Sequence, residues 1–249
     1  MSGHSKWATI KHKKAAQDAK RGKVFTRLIR EIQIASRHGG PDPDANPRLR
    51  TAVTAAKAQS MPADNIKRAI MRGSGQLEGE SLEEITFEGY APGGVAVMVD
   101  VVTDNRNRTV SEIRHAFSKN GGNMGETGCV GWMFDKRSLV AVAKEAASED
   151  ELLEAVLGAG AEDMRDDGEN WAIMSPPDAH DSVLAALEGK KLEPASAEIT
   201  MVPQNSVKVE GKLAAAVLRM IEVLEEQDDV QNVYANFDIE DKELEALSA

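Results

Sequence analysis

A single cysteine, Cys129, occurs in 249 residues, so no intramolecular disulfide can form and no thiolate cluster exists for zinc. No apolar run approaches the roughly 18 residues of a membrane span. The first ten residues lack the hydrophobic stretch of a signal peptide. A protein of the reducing cytoplasm, without membrane attachment, is expected.

Catalytic signatures are equally scarce. Cys129 with His115, or a serine with Asp104, could be nominated for nucleophilic chemistry, but no local motif surrounds any of them. The abundant carboxylates form no marked acid and base pair. Gly121, Gly122, Gly125 and Gly128 could suggest a nucleotide loop. They follow a predicted helix and precede a predicted strand, the reverse of the dinucleotide-binding order, and no P-loop lysine follows. No enzyme activity, metal, cofactor or small-molecule substrate is expected.

What the chain does have is charge, unevenly placed. The formal net charge is -11. Residues 1–75 hold 16 Lys and Arg against five acids, a surplus of 11, while the remainder holds 14 against 36, a deficit of 22. A basic head on an acidic body is the footprint of a polyanion-binding module. So many like charges repel unless a polyanion or counterions neutralise them.

The opening stretch, with Lys6, Trp7, Lys11, Lys13, Lys14, Lys20, Arg21 and Lys23, has too little apolar surface to collapse. Trp7 could stack on a base or pack over the helices; both remain open. Over residues 23–37 the pattern is helical, with Phe25, Leu28, Ile29, Ile32 and Ala35 on one side. Lys23, Arg27, Arg30 and Arg37 share an arc of about 80° on the other, with Ile34 as an apolar exception among them. Gly39-Gly40 ends this helix. Asn46-Pro47 opens a second, bearing Leu49, Ala52, Val53 and Ala56. After Met61-Pro62, Asp64 caps a third, carrying Ile66, Ala69 and Ile70 and closed by Gly73. A three-helix, nucleic-acid-binding domain is therefore expected over residues 1–75.

The body reads as α+β. Strands at Ile85 to Tyr90 and Val95 to Thr103 flank a turn at Ala91-Pro92-Gly93-Gly94. Thr109 to Glu112 has the form of a capping box for a helix bearing Val110, Ile113 and Phe117. A strand at Cys129 to Phe134 follows. From there the order is strand, helix, strand, strand, helix, strand, the βαββαβ of a ferredoxin-like unit. A long amphipathic helix with Leu213, Val217 and Ile221, and a strand from Val230 to Phe237, return to the middle domain. The predicted layout is a middle domain over 82–134 plus 205–249, with an inserted ferredoxin-like domain over 135–204. That insert is a poor RNA recognition motif: its central strands offer only Trp171 for stacking, and residues 135–203 carry 6 basic residues against 16 acids. Asp104 to Arg108 joins a strand to a helix, so Arg106 and Arg108 form a possible second phosphate contact. A polar turn satisfied by Asp104 and Asn107 explains the same residues.

Gly3-His4-Ser5-Lys6-Trp7, Gly22 to Thr26, Met61 to Ile66, Glu88 to Gly94 and Thr103 to Val110, in this order, resemble the YebC/PmpR family along the whole chain. The resemblance implies three domains, the third inserted in the second. Members of that family are labelled DNA-binding transcriptional regulators, and others act on translation, at mitochondrial or bacterial ribosomes. The expected partner is thus nucleic acid, with DNA and transcription in the lead and ribosomal RNA as the alternative.

Overall fold

A computed structural model describes residues 19–79 and 81–248. The head is three helices: α1 Ala19–Gly39, α2 Pro47–Ala58 and α3 Ala63–Gly73. Ile32 and Ala35 of α1 bury against Leu49, Ala52 and Ala56 of α2 and Ile66 and Ala69 of α3, with Phe25, Leu28 and Ile29 half-buried at the margin. Asn46 joins two helices. Its side chain accepts from the Leu49 amide at 3.1 Å, as an N-cap, and donates to the Ala35 and Gly40 carbonyls at 2.8 and 2.9 Å. At α3 the expected cap is displaced: Pro62 holds that position without a side-chain bond, and Asp64 sits in the first turn. There its charge still complements the helix dipole.

The middle domain is built on the hairpin of β1 Glu83–Ala91 and β2 Val95–Thr103. Gly93 and Gly94 turn it with φ of +80° and +78°, a region L side chains avoid. Two further strands, β3 Asn123–Met124 and β9 Val230–Ala235, give the sheet order β3-β1-β2-β9. Helices α4 Arg106–Lys119 and α7 Gly211–Glu225 cover one face, where Phe117, Ile113, Met220, Ile221 and Leu224 meet the apolar run of β2. Because β2 pairs directly with β9, the chain between them leaves this sheet and returns.

The excursion is an antiparallel sheet of β4 Phe134–Ala143, β5 Asp163–Asp167, β6 Asn170–Ser175 and β7 Ser196–Pro203, in the order β5-β6-β4-β7. Helices α5 Glu149–Leu157 and α6 His180–Gly189 connect it and pack over Val140, Val142 and Ile173. This is the ferredoxin-like arrangement. Besides β3, small elements that escape sequence reading are a parallel pair of β8 Val207–Lys208 with β10 Phe237–Asp238, and the closing helix α8 Asp241–Ser248.

Two local expectations are corrected. Residues 129–133 are not strand but turn and a short 3-10 helix, and a single strand starts at Phe134. The buried Glu88 carboxylate accepts from the amides of Gly128, Val130 and Gly131 at 2.6 to 2.7 Å, so these donors cannot join a ladder. Burial works against that charge, but the three amides outweigh it and hold the carboxyl below its ordinary range. The second correction concerns α4. It starts at Arg106, capped by the Asn105 side chain on the Arg108 amide at 3.1 Å, so Thr109 lies inside the first turn and does not open a capping box.

Helices α1 and α3 cross at Gly73, where a Cβ would lie 2.2 Å from the Gln33 carbonyl oxygen. Gly73→Ala is expected to destabilise the full chain by ~1–3 kcal/mol through overpacking against backbone. Gly22→Ala, a helical site with nothing within 4 Å of its Cβ, should be neutral or stabilising by up to ~1 kcal/mol. Urea denaturation of both variants checks the pair; equal effects would contradict the crossing.

Candidate nucleic-acid interface

The basic arc of α1 is bonded to the middle domain along its length, with Arg27 and Arg30 half-buried there and Arg37 still exposed. Lys23 Nζ donates to the Glu226 carbonyl and Arg27 Nη2 to the Glu225 carbonyl. Arg30 Nη1 donates to the Asp228 carbonyl at 2.7 Å and pairs with Asp229 Oδ1 at 2.7 Å. These oxygens belong to the C-terminal turn of α7 and the loop after it, where free carbonyls and the helix dipole favour cations. Arg37 donates to the Leu82 carbonyl at 2.7 Å. The expected open arc is therefore closed by the middle domain. Ile34 explains why: it is 1% exposed and packs with Leu82 and Val102 of the body. An apolar residue among cations marked a docked face.

Asp229 sits at the centre of this seam, with its side chain 3% exposed. Its Oδ2 accepts from Thr103 at 2.9 Å, Thr109 at 2.6 Å and Arg108 at 2.9 Å, while Oδ1 takes Arg30. Burial alone would raise its pKa, but the bonds from Thr109, Arg108 and Thr103 and the Arg30 charge prevail and hold it at about 2. Arg108 also bridges Asp104 at 2.7 Å. Of the two arginines expected as a second phosphate contact, one is thus committed to internal carboxylates. The Arg106 side chain is exposed and pairs with no carboxylate among the described residues.

Lys6, Trp7, Lys11, Lys13 and Lys14 lie outside the described residues, and for Lys20 and Arg21 only the helical backbone of α1 is described. The exposed cations instead come from helices to which sequence reading assigned no contacts. Lys57 and Lys67 stand on a groove between α2 and α3 with Val53, Ile66, Ile70 and Met71. Both are exposed and have no carboxylate partner among the described residues; Arg72, also exposed, lines instead a cavity with Ile34, Arg37 and Leu82 beside the seam. Arg50 and Arg68 bond only neutral acceptors: the Asp44 carbonyl at 3.3 Å, and Asn65 Oδ1 at 2.5 Å with the Asp64 carbonyl at 3.3 Å. Arg48 differs, being clamped by Glu31 and Glu84 at 2.7 and 2.5 Å. The face of α2 and α3 is one of uncompensated positive charge beside apolar surface, suited to a phosphate backbone.

Chemical machinery is sparse. Among the described residues no cluster of three or more His, Cys, Asp or Glu could hold a metal, and no helix is long and apolar enough to cross a membrane. Burial and the neighbouring Glu88 push the Cys129 thiol above its ordinary value, away from a reactive thiolate.

A family model described as the TACO1/YebC protein N-terminal domain matches residues 5–76, and one for the TACO1/YebC second and third domain matches 82–237. The chain belongs to the TACO1/YebC family. A relative from Solibacter usitatus named "Probable transcriptional regulatory protein" is 65% identical over 248 residues, covering 100% of both chains. One from Geobacter sulfurreducens, "Probable transcriptional regulatory protein GSU1074", is 57% identical over 247 residues, covering 99% of this chain and all of that one. The crystal structure of the conserved hypothetical protein Aq1575 from Aquifex aeolicus superposes with a TM-score of 0.80 at 49% identity, covering 90% of this chain and 93% of that one.

The Asp229 carboxyl generates a pH signature. Its folded pKa of about 2 lies below an unfolded value of about 3.9. Its ionisation therefore contributes stability, on the order of 2 kcal/mol, that is complete above the unfolded pKa and lost as pH falls from about 4 through about 2. Asp229→Asn should be less stable than wild type at neutral pH, and the gap should narrow below about pH 4. Urea midpoints across that range test this; a gap independent of pH would contradict the assignment.

Proposed function

We propose that this chain regulates gene expression by binding nucleic acid through the α2 and α3 face of its N-terminal domain, and that DNA in transcriptional control is the target. The observation that carries the reading is the pair of exposed cations without carboxylate partners among the described residues, Lys57 and Lys67, on a head whose other side is docked. The relatives' name, "probable transcriptional regulatory protein", supports regulation at family level. The acidic insert does not contribute phosphate contacts, since its charge would repel them. Residues 1–18 carry four cations, Lys6, Lys11, Lys13 and Lys14, against the single acid Asp18. They add to the positive surplus of the head.

A translational reading, with ribosomal RNA as the target, draws on one further observation. Arg106 stands exposed at the first position of α4, on the middle domain and outside the face assigned to DNA. Arg106→Gln should leave binding to a short DNA duplex unchanged, while a ribosome-bound factor would lose co-sedimentation with ribosomes across a salt series.

The DNA interface is tested with Lys57→Gln and Lys67→Gln combined in the full chain. Affinity for duplex DNA should fall, and the slope of log affinity against log salt should flatten by roughly 0.9 for each phosphate no longer neutralised. Stability should stay within about 0.5 kcal/mol of wild type, as for other surface substitutions. Unchanged affinity and an unchanged slope would remove this face from the interface.

A further inference from the structure

Lys23, Arg27 and Arg30 form a row along α1 that is bonded to oxygens of residues 225–229. We propose that this row is a concealed phosphate-binding surface, occupied by the C-terminal turn of α7 as an internal stand-in for a nucleic-acid backbone that must displace it. Such a surface rests on the nucleic-acid reading above and adds a second contact region to it.

The stand-in matches phosphate in kind: helix-terminal carbonyls carrying partial negative charge, followed by two carboxylates. Its fit is uneven. At the outer end, Lys23 has a neutral carbonyl as its hydrogen-bond acceptor, and the carboxylate it pairs with, Asp228, lies 3.8 Å away with its side chain 83% exposed. In the middle, Arg27 bonds a carbonyl while its buried Nε has no acceptor among the described residues. At the inner end, Arg30 and Asp229 form a buried pair. A phosphodiester would give the outer two cations the closely bonded anion that neither has here, and the Arg30 to Asp229 pair is the link that resists release. Ile34, packed on Leu82 and Val102, adds the apolar part of the same closure.

The test uses the full chain with two probes, a short labelled duplex DNA and a labelled single-stranded RNA of mixed sequence. Asp229→Asn keeps the side chain's shape but removes the charge that holds Arg30. It should raise affinity for the preferred probe at least about fivefold, the lower end of ordinary coupling between sites. In the wild type, adding that probe should speed hydrogen exchange of the amides at 226–230. Wild-type binding that Asp229→Asn leaves unchanged, with those amides no faster, overturns the concealed surface while leaving the proposed function standing. Failure of both proteins to bind either probe overturns both. Should Asp229→Asn lose cooperative unfolding, Glu226→Gln with Asp228→Asn replaces it with the same expected direction. Glu149→Gln, which removes one charge from the first turn of α5 on the insert, should change affinity by less than about twofold, since exposed charges away from the site are screened. An equal gain from this control would also overturn the proposal.

Discussion

The seam between head and body depends on one buried carboxylate. Asp229 lies in the loop between α7 and β9, with one oxygen on Arg30 of the head and the other on Thr103, Thr109 and Arg108 of the body. A buried charge is tolerated only when its lone pairs are filled, and removing one partner of such a pair typically costs ~3–5 kcal/mol. The position of Asp229 follows from topology. The chain leaves the middle sheet for the ferredoxin-like insert and returns through α7, so the loop that brings β9 beside β2 also carries the carboxylate to the head. Its own carbonyl accepts from the Val102 amide at 2.9 Å, fixing the loop to β2.

That seam divides the positive charge of the head into two populations. Lys23, Arg27, Arg30 and Arg37 are neutralised or solvated by the body's own oxygens, which relieves the self-repulsion expected of an isolated basic bundle. Lys57 and Lys67, on the other two helices, have no such partner among the described residues. The acidic body is thus more than a solubilising surface: part of its negative charge holds the head in one orientation, and that orientation presents α2 and α3 outward.

Periodicity made the helices of the head and the insert's strand and helix order legible, because each element buries a continuous apolar stripe against its neighbours. The site was less legible. Arg27 and Arg30 read as a solvent-facing arc because their partners lie 198 residues away, beyond any local pattern. Only Ile34, apolar among cations, signalled that this side was covered. Asp229 could not be told from Glu225, Glu226 and Asp228, neighbouring acids that differ only in what the fold places beside them. Residues 129–133 misled for a related reason: their apolar character suits a strand, but the Glu88 carboxylate takes the amides a strand would have used.

The most direct test of the central claim, that nucleic acid is held by the outward face of the head, is photo-crosslinking of the full chain to labelled DNA and to labelled RNA, with the joined peptides mapped by mass spectrometry. Crosslinks should concentrate in the head, residues 1–76, with a cluster around Lys57 and Lys67. Crosslinks concentrated instead in the acidic insert, residues 135–203, would contradict it.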